Sequence, residues 1–117
     1  MIKIEAVVRP ERVNIVVEAL VDAGCGDSHV SNVTGKGTQQ GVEVFTGRGA
    51  TTTTRAALPK TVITTVVTDH MKDAVVSAIL GASKTGEDGQ IGDGKIFISS
   101  VSEVIRVRTG ERDDEAL

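Results

Sequence analysis

The chain has 117 residues and a formal net charge of −3, with 39% hydrophobic and 25% charged residues, a composition typical of one globular domain rather than a disordered chain. Its only two aromatic residues are phenylalanines, which leaves little for bases to stack on and, with the negative charge, argues against a nucleic-acid-binding protein. No apolar run approaches the ~20 residues that span a bilayer, and the lone Cys25 cannot form an internal disulfide.

The first half of the chain predicts a strand, a helix and a second strand. Apolar and polar residues alternate over 2–9, as in a half-buried strand, and Glu5 and Arg9 make this segment unlike a secretory leader. We therefore expect a cytoplasmic protein without membrane insertion. Pro10 suits a first helical turn, and a helix that ends at Gly24 and Gly26 is predicted by one apolar face: Val13, Val16, Val17, Leu20 and Val21. The second strand is expected over 29–36.

The second half repeats this order. Residues 61–68 are rich in valine and threonine and predict a strand, and apolar residues at helical spacing from Met71 to Ala82 predict a helix that ends near Gly81 and Lys84. Strands follow at 95–99 and, by clean alternation, at 103–108, before an acidic tail at 111–117 that we expect to be solvated. The order predicts a single α+β domain over 1–117, with a ferredoxin-like βαββαβ fold and an extra C-terminal strand.

Ten of the thirteen glycines lie in two segments, 35–49 and 81–94. They indicate two loops, one at about 37–57 and one at about 83–95, because glycine permits close backbone approach and unusual backbone angles. In the second loop Gly92, Asp93 and Gly94 precede Lys95, which favours a phosphate site over a merely flexible loop. It is not a Walker A loop, since Ile96 stands where a hydroxyl residue would follow the lysine.

Arg106 and Arg108 are two residues apart in the last predicted strand, so their side chains would project from one face about 7 Å apart. With Lys95 they suit a polyphosphate, although alternating arginines can also simply solvate an edge strand. No catalytic arrangement accompanies them: His29 and His70 lack a nucleophile at a recognisable spacing, and Thr51–Thr54 favours a hydrophilic loop tip. The chain is therefore not expected to be an enzyme.

Several of these segments resemble one known family. Residues 92–98, GDGKIFI, and 104–110, VIRVRTG, are similar to the C-terminal signature of the PII nitrogen-regulatory proteins, the GlnB/GlnK family. The stretches at 3–10, 35–41 and 58–60 match the same family, so the resemblance spans essentially the whole chain, and the chain looks GlnK-like.

The resemblance implies a homotrimer that binds ATP or ADP in the clefts between subunits and 2-oxoglutarate together with Mg-ATP. The implied nucleotide-binding residues are His29, Gly35, Gly37, Thr38, Gln39, Val66, Gly92, Asp93, Gly94, Lys95, Arg106 and Arg108. Within this set His29 and Val66 would contact adenine, and Gln39 would also bind Mg. The residues implied for 2-oxoglutarate are Gln39, Gln40, Gly41 and Lys60.

The family uses its long loop to dock on partners, which implies an ammonium transporter, with Arg48 as the residue that probes the channel mouth, or glutamine synthetase. The chain departs from the family pattern at four places. His29 replaces a common threonine, Thr38 replaces a common arginine, and both loops are longer than usual. The absence of tyrosine excludes uridylylation of a tyrosine, and Thr51–Thr54 occupies that region.

Two alternatives of other classes remain open. One is a trimeric ferredoxin-like structural or metal-tolerance protein that does not sense nucleotides. The other is a regulatory domain of the amino-acid-sensing type, which would not need Lys95, Arg106 and Arg108 together.

Overall fold

The computed structural model describes residues 1–36, 43–45, 52–54 and 58–117. Its helices and strands, in chain order, are β1 (Ile2–Val8), α1 (Val13–Asp22), β2 (His29–Gly35), β3 (Glu43–Phe45), β4 (Thr52–Thr54), β5 (Leu58–Val67), α2 (Lys72–Ser83) and β6 (Gly94–Ser100). Short 3-10 turns at Pro10–Arg12 and Asp69–Met71 lead into the two helices, and a third lies at Asp113–Ala116. No helix among these described residues is both long and apolar enough to cross a membrane.

Four strands form one antiparallel sheet in the order β2-β5-β1-β6. Each βαβ unit therefore places its two strands parallel to each other with one strand of the other unit between them. This is the ferredoxin-like arrangement, so the predicted fold class is confirmed. The short strands β3 and β4 pair only with each other, as a separate antiparallel hairpin.

The core lies between the sheet and the two helices. Alternate residues of β1, Ile4, Ala6 and Val8, are at most 2% exposed, as the sequence alternation predicts. The helices cover them with Val16, Leu20, Val75 and Ile79, all at most 1% exposed. Neither α1 nor α2 packs on the opposite face of the sheet, and there Phe97, beside Glu5 in the register, is 56% exposed.

Strand β5 starts at Leu58, earlier than predicted, and so includes Pro59. The ladder between β5 and β1 ends at Thr61 opposite Val8, whereas Pro59 pairs with Thr34 of β2 alone. Pro59 lacks an N–H, but no hydrogen bond to β1 is lost because β1 does not extend to this position. A proline is therefore tolerated here, although the rest of β5 has a neighbouring strand on both sides.

Two predictions about strands are wrong. Residues 103–108 form no strand: this segment bends back on itself, with a single bridge between Ile105 and Arg112. Conversely, most of the threonine run expected to be a loop tip is strand β4, in keeping with the preference of β-branched residues for strands.

The register brings four chain segments to one end of the sheet, which we call the loop end. β1 and β2 finish there, at Val8 and Gly35, and β5 and β6 begin there, at Leu58 and Gly94. The residues that follow or precede these strands are consequently neighbours, although they are distant in sequence. His29 and Val66 lie at the opposite end of the same sheet.

Candidate functional site

The loop between α2 and β6, residues 84–93, is organised around the carboxylate of Asp93. Oδ1 of Asp93 accepts hydrogen bonds from Oγ1 of Thr85 at 2.6 Å and from Nε of Arg9 at 3.2 Å. Oδ2 accepts from the backbone N–H groups of Thr85 at 2.9 Å and Gln90 at 2.8 Å. The side chains of Arg9 and Asp93 are only 18% and 17% exposed. The loop is therefore a closed turn rather than an open chain.

This environment sets the charge of Asp93. Burial by itself raises the pKa of the carboxyl, but the hydrogen bonds from Thr85, Gln90 and Arg9 outweigh it and hold the pKa well below its ordinary value. Asp93 is consequently ionised throughout the physiological pH range.

Two cations bind the backbone carbonyls of this loop. Nη2 of Arg9 donates to the carbonyl oxygen of Ile91 at 2.9 Å, and Nζ of Lys60 donates to that of Gly92 at 2.6 Å. Burial is the main cause that lowers the pKa of Lys60, and the nearby Arg9 guanidinium lowers it further. The loop is thus tied to the ends of both central strands, β1 and β5.

Packing alone requires a glycine at position 94, the first residue of β6, whether or not a ligand binds nearby. It has a φ of +119°, and a Cβ there would lie 1.8 Å from the carbonyl oxygen of Val7. Only glycine allows β6 to approach β1 this closely. Gly86, Gly89 and Gly92 also have positive φ, a backbone conformation that residues with a Cβ rarely adopt, so the course of the loop depends on glycine.

A cavity of about 900 Å³ lies between this loop, the end of α2 and β6. Its apolar wall includes Val76, Leu80, Ile96 and Ile98. Its rim carries Lys84 and Lys95, which form no ion pair within the part of the chain that the structure describes. Buried Ser83 Oγ, which also lines it, has no hydrogen-bond partner there. The two ammonium groups and the Ser83 hydroxyl are hydrogen-bond donors of the kind that bind an anionic ligand.

A second cavity, of about 510 Å³, lies at the opposite end of the sheet and contains His29 and Val66 in its wall. Ala116 and Leu117 of the C-terminal tail line it too. The acidic residues of the tail, Asp113 to Glu115, are exposed as expected, but the backbone is anchored, because the N–H of Asp113 donates to the carbonyl of Val104 at 2.7 Å.

The wall of this second cavity is held by a buried hydrogen-bond chain. Oγ1 of Thr65 donates to the carbonyl of Asp27 at 2.7 Å and lies 3.0 Å from Sγ of Cys25. Since the hydroxyl proton is used on Asp27, the thiol is the donor to Thr65, and Sγ also lies 3.7 Å from the carbonyl oxygen of Asp27. Cys25 is 7% exposed.

Arg106 and Arg108 do not project from one face of a strand. The N–H of Arg106 donates to the carbonyl of Glu111, and the N–H of Gly110 to the carbonyl of Arg106, so that the segment closes as a turn. The alternation predicted a strand wrongly because these backbone groups pair within the turn rather than along another strand. Nη1 of Arg106 donates to Oε1 of Glu111 at 2.8 Å, while Val107 is 99% exposed.

The predicted site residues therefore fall into separate groups. Gly35, Lys60, Gly92, Asp93, Gly94 and Lys95 lie at the loop end, whereas His29 and Val66 lie at the opposite end. The segment that carries Arg106 and Arg108 also leaves the sheet at that opposite end, because β6 ends there with Ser100 paired to Ile2, and Val104 lines the same cavity as His29. Lys60 and Val66 are six residues apart on β5, a separation of about 20 Å along the strand. Gly37, Thr38, Gln39, Gln40, Gly41 and Arg48 lie outside the described residues.

Sequence reasoning missed three residues that contact this site. The sequence places Arg9 only in the predicted strand 2–9, Thr85 only in a loop, and Glu111 only in a solvated tail. The topology indicates Arg9, because the residue that follows β1 must lie near the beginnings of β5 and β6. No local pattern indicates Thr85 or Glu111.

Comparisons with known proteins agree with one another. A family model described as "Nitrogen regulatory protein P-II" matches residues 1–111. The chain is 45% identical over 118 residues to nitrogen regulatory protein P-II 2 of Methanothermobacter thermautotrophicus, covering 100% of this chain and 97% of that protein. It is 42% identical to nitrogen regulatory protein P-II 1 of Escherichia coli, with 100% of both chains covered.

A solved structure gives the same answer for the fold. The crystal structure of Arabidopsis thaliana PII bound to citrate matches with a TM-score of 0.76 and 37% identity, over 99% of this chain and 91% of that one. The chain therefore belongs to the nitrogen regulatory protein P-II family.

Proposed function

We propose that this protein is a PII signal protein, GlnK-like, that binds ATP or ADP between the subunits of a homotrimer. The observation that carries the proposal is the loop end of the sheet, where a closed glycine loop adjoins Lys95 and a cavity whose rim also carries Lys84, neither lysine being ion-paired within the residues that the structure describes. Backbone N–H groups and fixed cations are the donors that bind phosphate oxygens. The family is one of regulatory signal-transduction proteins, which supports a function other than catalysis.

The separation of the two groups supports a site shared by two copies of the chain. Gly92, Gly94 and Lys95 of one copy are proposed to hold the phosphates together with Arg106 and Arg108 of a neighbouring copy, which would also supply His29 and Val66 to the adenine. Within one chain the loop end and His29 are farther apart than the adenine and phosphates of one nucleotide. A trimer would also cover the open face of the sheet, where Phe97 is 56% exposed.

We further propose that 2-oxoglutarate binds with Mg-ATP. Gln39 would bind the metal, and Gln40, Gly41 and Lys60 the dicarboxylate. The bond between Lys60 and the carbonyl of Gly92 supports a coupling of the two sites, because an effector carboxylate that attracts Lys60 competes with that carbonyl. The output would be a change in residues 37–57, which include Arg48, and the partner an ammonium transporter or glutamine synthetase.

Calorimetric titration tests the nucleotide site. We expect ATP and ADP to bind in the micromolar range and to compete, and 2-oxoglutarate to bind only with Mg-ATP. Sedimentation should give three copies per particle. A trimer without nucleotide binding or any nucleotide-dependent shift in melting temperature would reject this function in favour of the structural alternative.

Arginine variants locate the phosphates. Arg106→Ala and Arg108→Ala should each weaken ADP at least tenfold, since each loses a charge-assisted hydrogen bond to phosphate. Arg112→Ala is the matched control, because Arg112 is also ion-paired in the same segment, with Glu103. Equal affinities for all three variants would remove the arginines from the site.

A further inference from the structure

The proposed phosphate loop contains a carboxylate, that of Asp93, next to the place where an anion would bind. A carboxylate repels phosphate, so its presence there needs a physical reason. The hydrogen bonds described above supply one. A carboxylate has about four lone-pair positions, and the four donors on Asp93 (Arg9 Nε, Thr85 Oγ1, and the N–H groups of Thr85 and Gln90) fill them.

We propose that Asp93 is a positioning residue, which sets the shape of the loop 84–94 for a phosphate anion and does not itself contact the nucleotide. Arg9 and Thr85 act with it. This inference rests on the proposed nucleotide function, but its central claim concerns the loop and can be tested without ligand.

The arrangement of donors explains how one side chain sets the loop. Thr85 follows the end of α2, and Gln90 lies on the far side of the bend, five residues later. By accepting from both N–H groups, one oxygen of Asp93 holds the two sides of the loop together. The N–H of Asp93 adds a bond to the carbonyl of Gln90 at 3.1 Å.

Arg9 has two roles in this arrangement. Its charge offsets that of Asp93, which lowers the repulsion that an incoming phosphate would meet. Its second nitrogen binds the carbonyl of Ile91. In a trans peptide the N–H points opposite to the preceding C=O, so the N–H of Gly92 is directed away from Arg9. The guanidinium serves both acceptors because its N–H groups diverge in a fixed fork, which a lysine ammonium does not offer.

The extra length of the loop makes such a brace necessary. Three of its glycines, Gly86, Gly89 and Gly92, have positive φ, and an unbraced loop with these residues would sample many conformations. Gly89 also lies close to this carboxylate, since a Cβ atom added there would be 3.3 Å from Oδ2 of Asp93. With four donors already on its two oxygens, the carboxylate has no lone pair left for a ligand.

Asp93→Asn tests the inference with two measurements on the full-length protein. The amide places an NH2 group opposite the N–H groups of Thr85 and Gln90, or opposite Arg9. We expect hydrogen exchange at the Thr85 and Gln90 amides to accelerate at least tenfold and the affinity for ADP to fall at least tenfold. The matched control is Glu87→Gln, because Glu87 lies in the same loop, is exposed, does not line the cavity and makes no hydrogen bond or ion pair within the described part of the chain. It should leave the exchange of both amides unchanged and ADP binding as tight or slightly tighter.

Arg9 variants separate positioning from charge. Arg9→Gln should weaken ADP severalfold, and Arg9→Lys, which keeps the charge but not the fork, should not restore affinity. Full restoration by lysine would mean that Arg9 acts as a simple charge and would overturn its positioning role. Arg12→Gln is the control in the neighbouring turn.

The outcomes distinguish the inference from the function on which it rests. If Asp93→Asn loses ADP while exchange at Thr85 and Gln90 stays slow, Asp93 is a direct ligand and the inference is wrong. If exchange accelerates but ADP binds as in the unmodified protein, the loop shape does not serve the nucleotide, and the inference is again wrong. If the unmodified protein binds no ADP, the proposed function fails, whereas accelerated exchange would still establish the brace.

Discussion

Replacing Gly94 with alanine puts the close approach of β1 and β6 to a quantitative test. The new Cβ would lie 1.8 Å from the carbonyl oxygen of Val7 and 2.9 Å from its carbonyl carbon, both backbone atoms that cannot rotate away. An ordinary contact of a Cβ atom is at least 3.4 Å long, so one of the two strands must move by more than 1 Å to accommodate the new methyl group. Overpacking of this kind costs about 1–3 kcal/mol, and an L-residue at a φ of +119° adds about 1–3 kcal/mol of strain.

We expect Gly94→Ala to lower the free energy of unfolding by about 3–5 kcal/mol, a large share of the 5–15 kcal/mol typical of a domain. The melting temperature should fall by roughly 10–20 °C. Urea unfolding followed by circular dichroism, at one fixed protein concentration because an oligomer unfolds with concentration dependence, measures the change.

Two other glycines provide matched controls. Gly86 has a φ of +65° and open space around its Cβ position, so Gly86→Ala should cost only about 1 kcal/mol of backbone strain. Gly81 lies inside α2, also with open space, and Gly81→Ala should stabilise by about 0.5–1 kcal/mol. If Gly94→Ala is no more destabilised than Gly86→Ala, β6 does not depend on the contact with Val7 and the reasoning is refuted.

Two further predictions concern acid stability and the buried hydroxyl. The folded state lowers the pKa of Asp93 below the ordinary 3.8, so ionised Asp93 stabilises the fold at neutral pH, and this contribution is lost as the pH falls below about 4. Urea titrations at several pH values should show a smaller loss of unfolding free energy in acid for Asp93→Asn, and the unmodified loss for Asp88→Asn. The same dependence of unfolding free energy on pH in all three proteins would contradict this prediction. Thr65→Val should lower the free energy of unfolding by about 1–2 kcal/mol, because the carbonyl of Asp27 loses the hydroxyl donor and keeps only the long contact with the Cys25 thiol. Thr64→Val, on the less buried face of the same strand, should be near neutral, and an equal loss at both positions would show that the hydroxyl bond is unimportant.

Alternation was a good guide where a neighbouring strand exists and a poor one where none does. In β1 the alternate residues Ile4, Ala6 and Val8 face the core as the alternation predicts, because this strand pairs on two sides and one of its faces is covered by helices. Residues 103–108 have the same alternation, but their backbone bonds close a turn, and the exposure of Val107 confirms that no core lies beneath it. The alternation of apolar and polar residues shows which side chains would share a face, but it does not show whether a neighbouring strand is present to pair with the backbone.

The sequence by itself determined the order of the six elements that build the domain (β1, α1, β2, β5, α2 and β6), the concentration of glycine in two segments, the whole-chain resemblance to PII proteins and the exclusion of tyrosine modification, because these depend on residue type and local spacing. Only the tertiary structure decided which residues brace the loop and which glycine is required by packing. Arg9 and Asp93 are 84 residues apart, and Gly94 meets Val7 across a strand pair, so no local pattern encodes either contact. The sheet register brings them together.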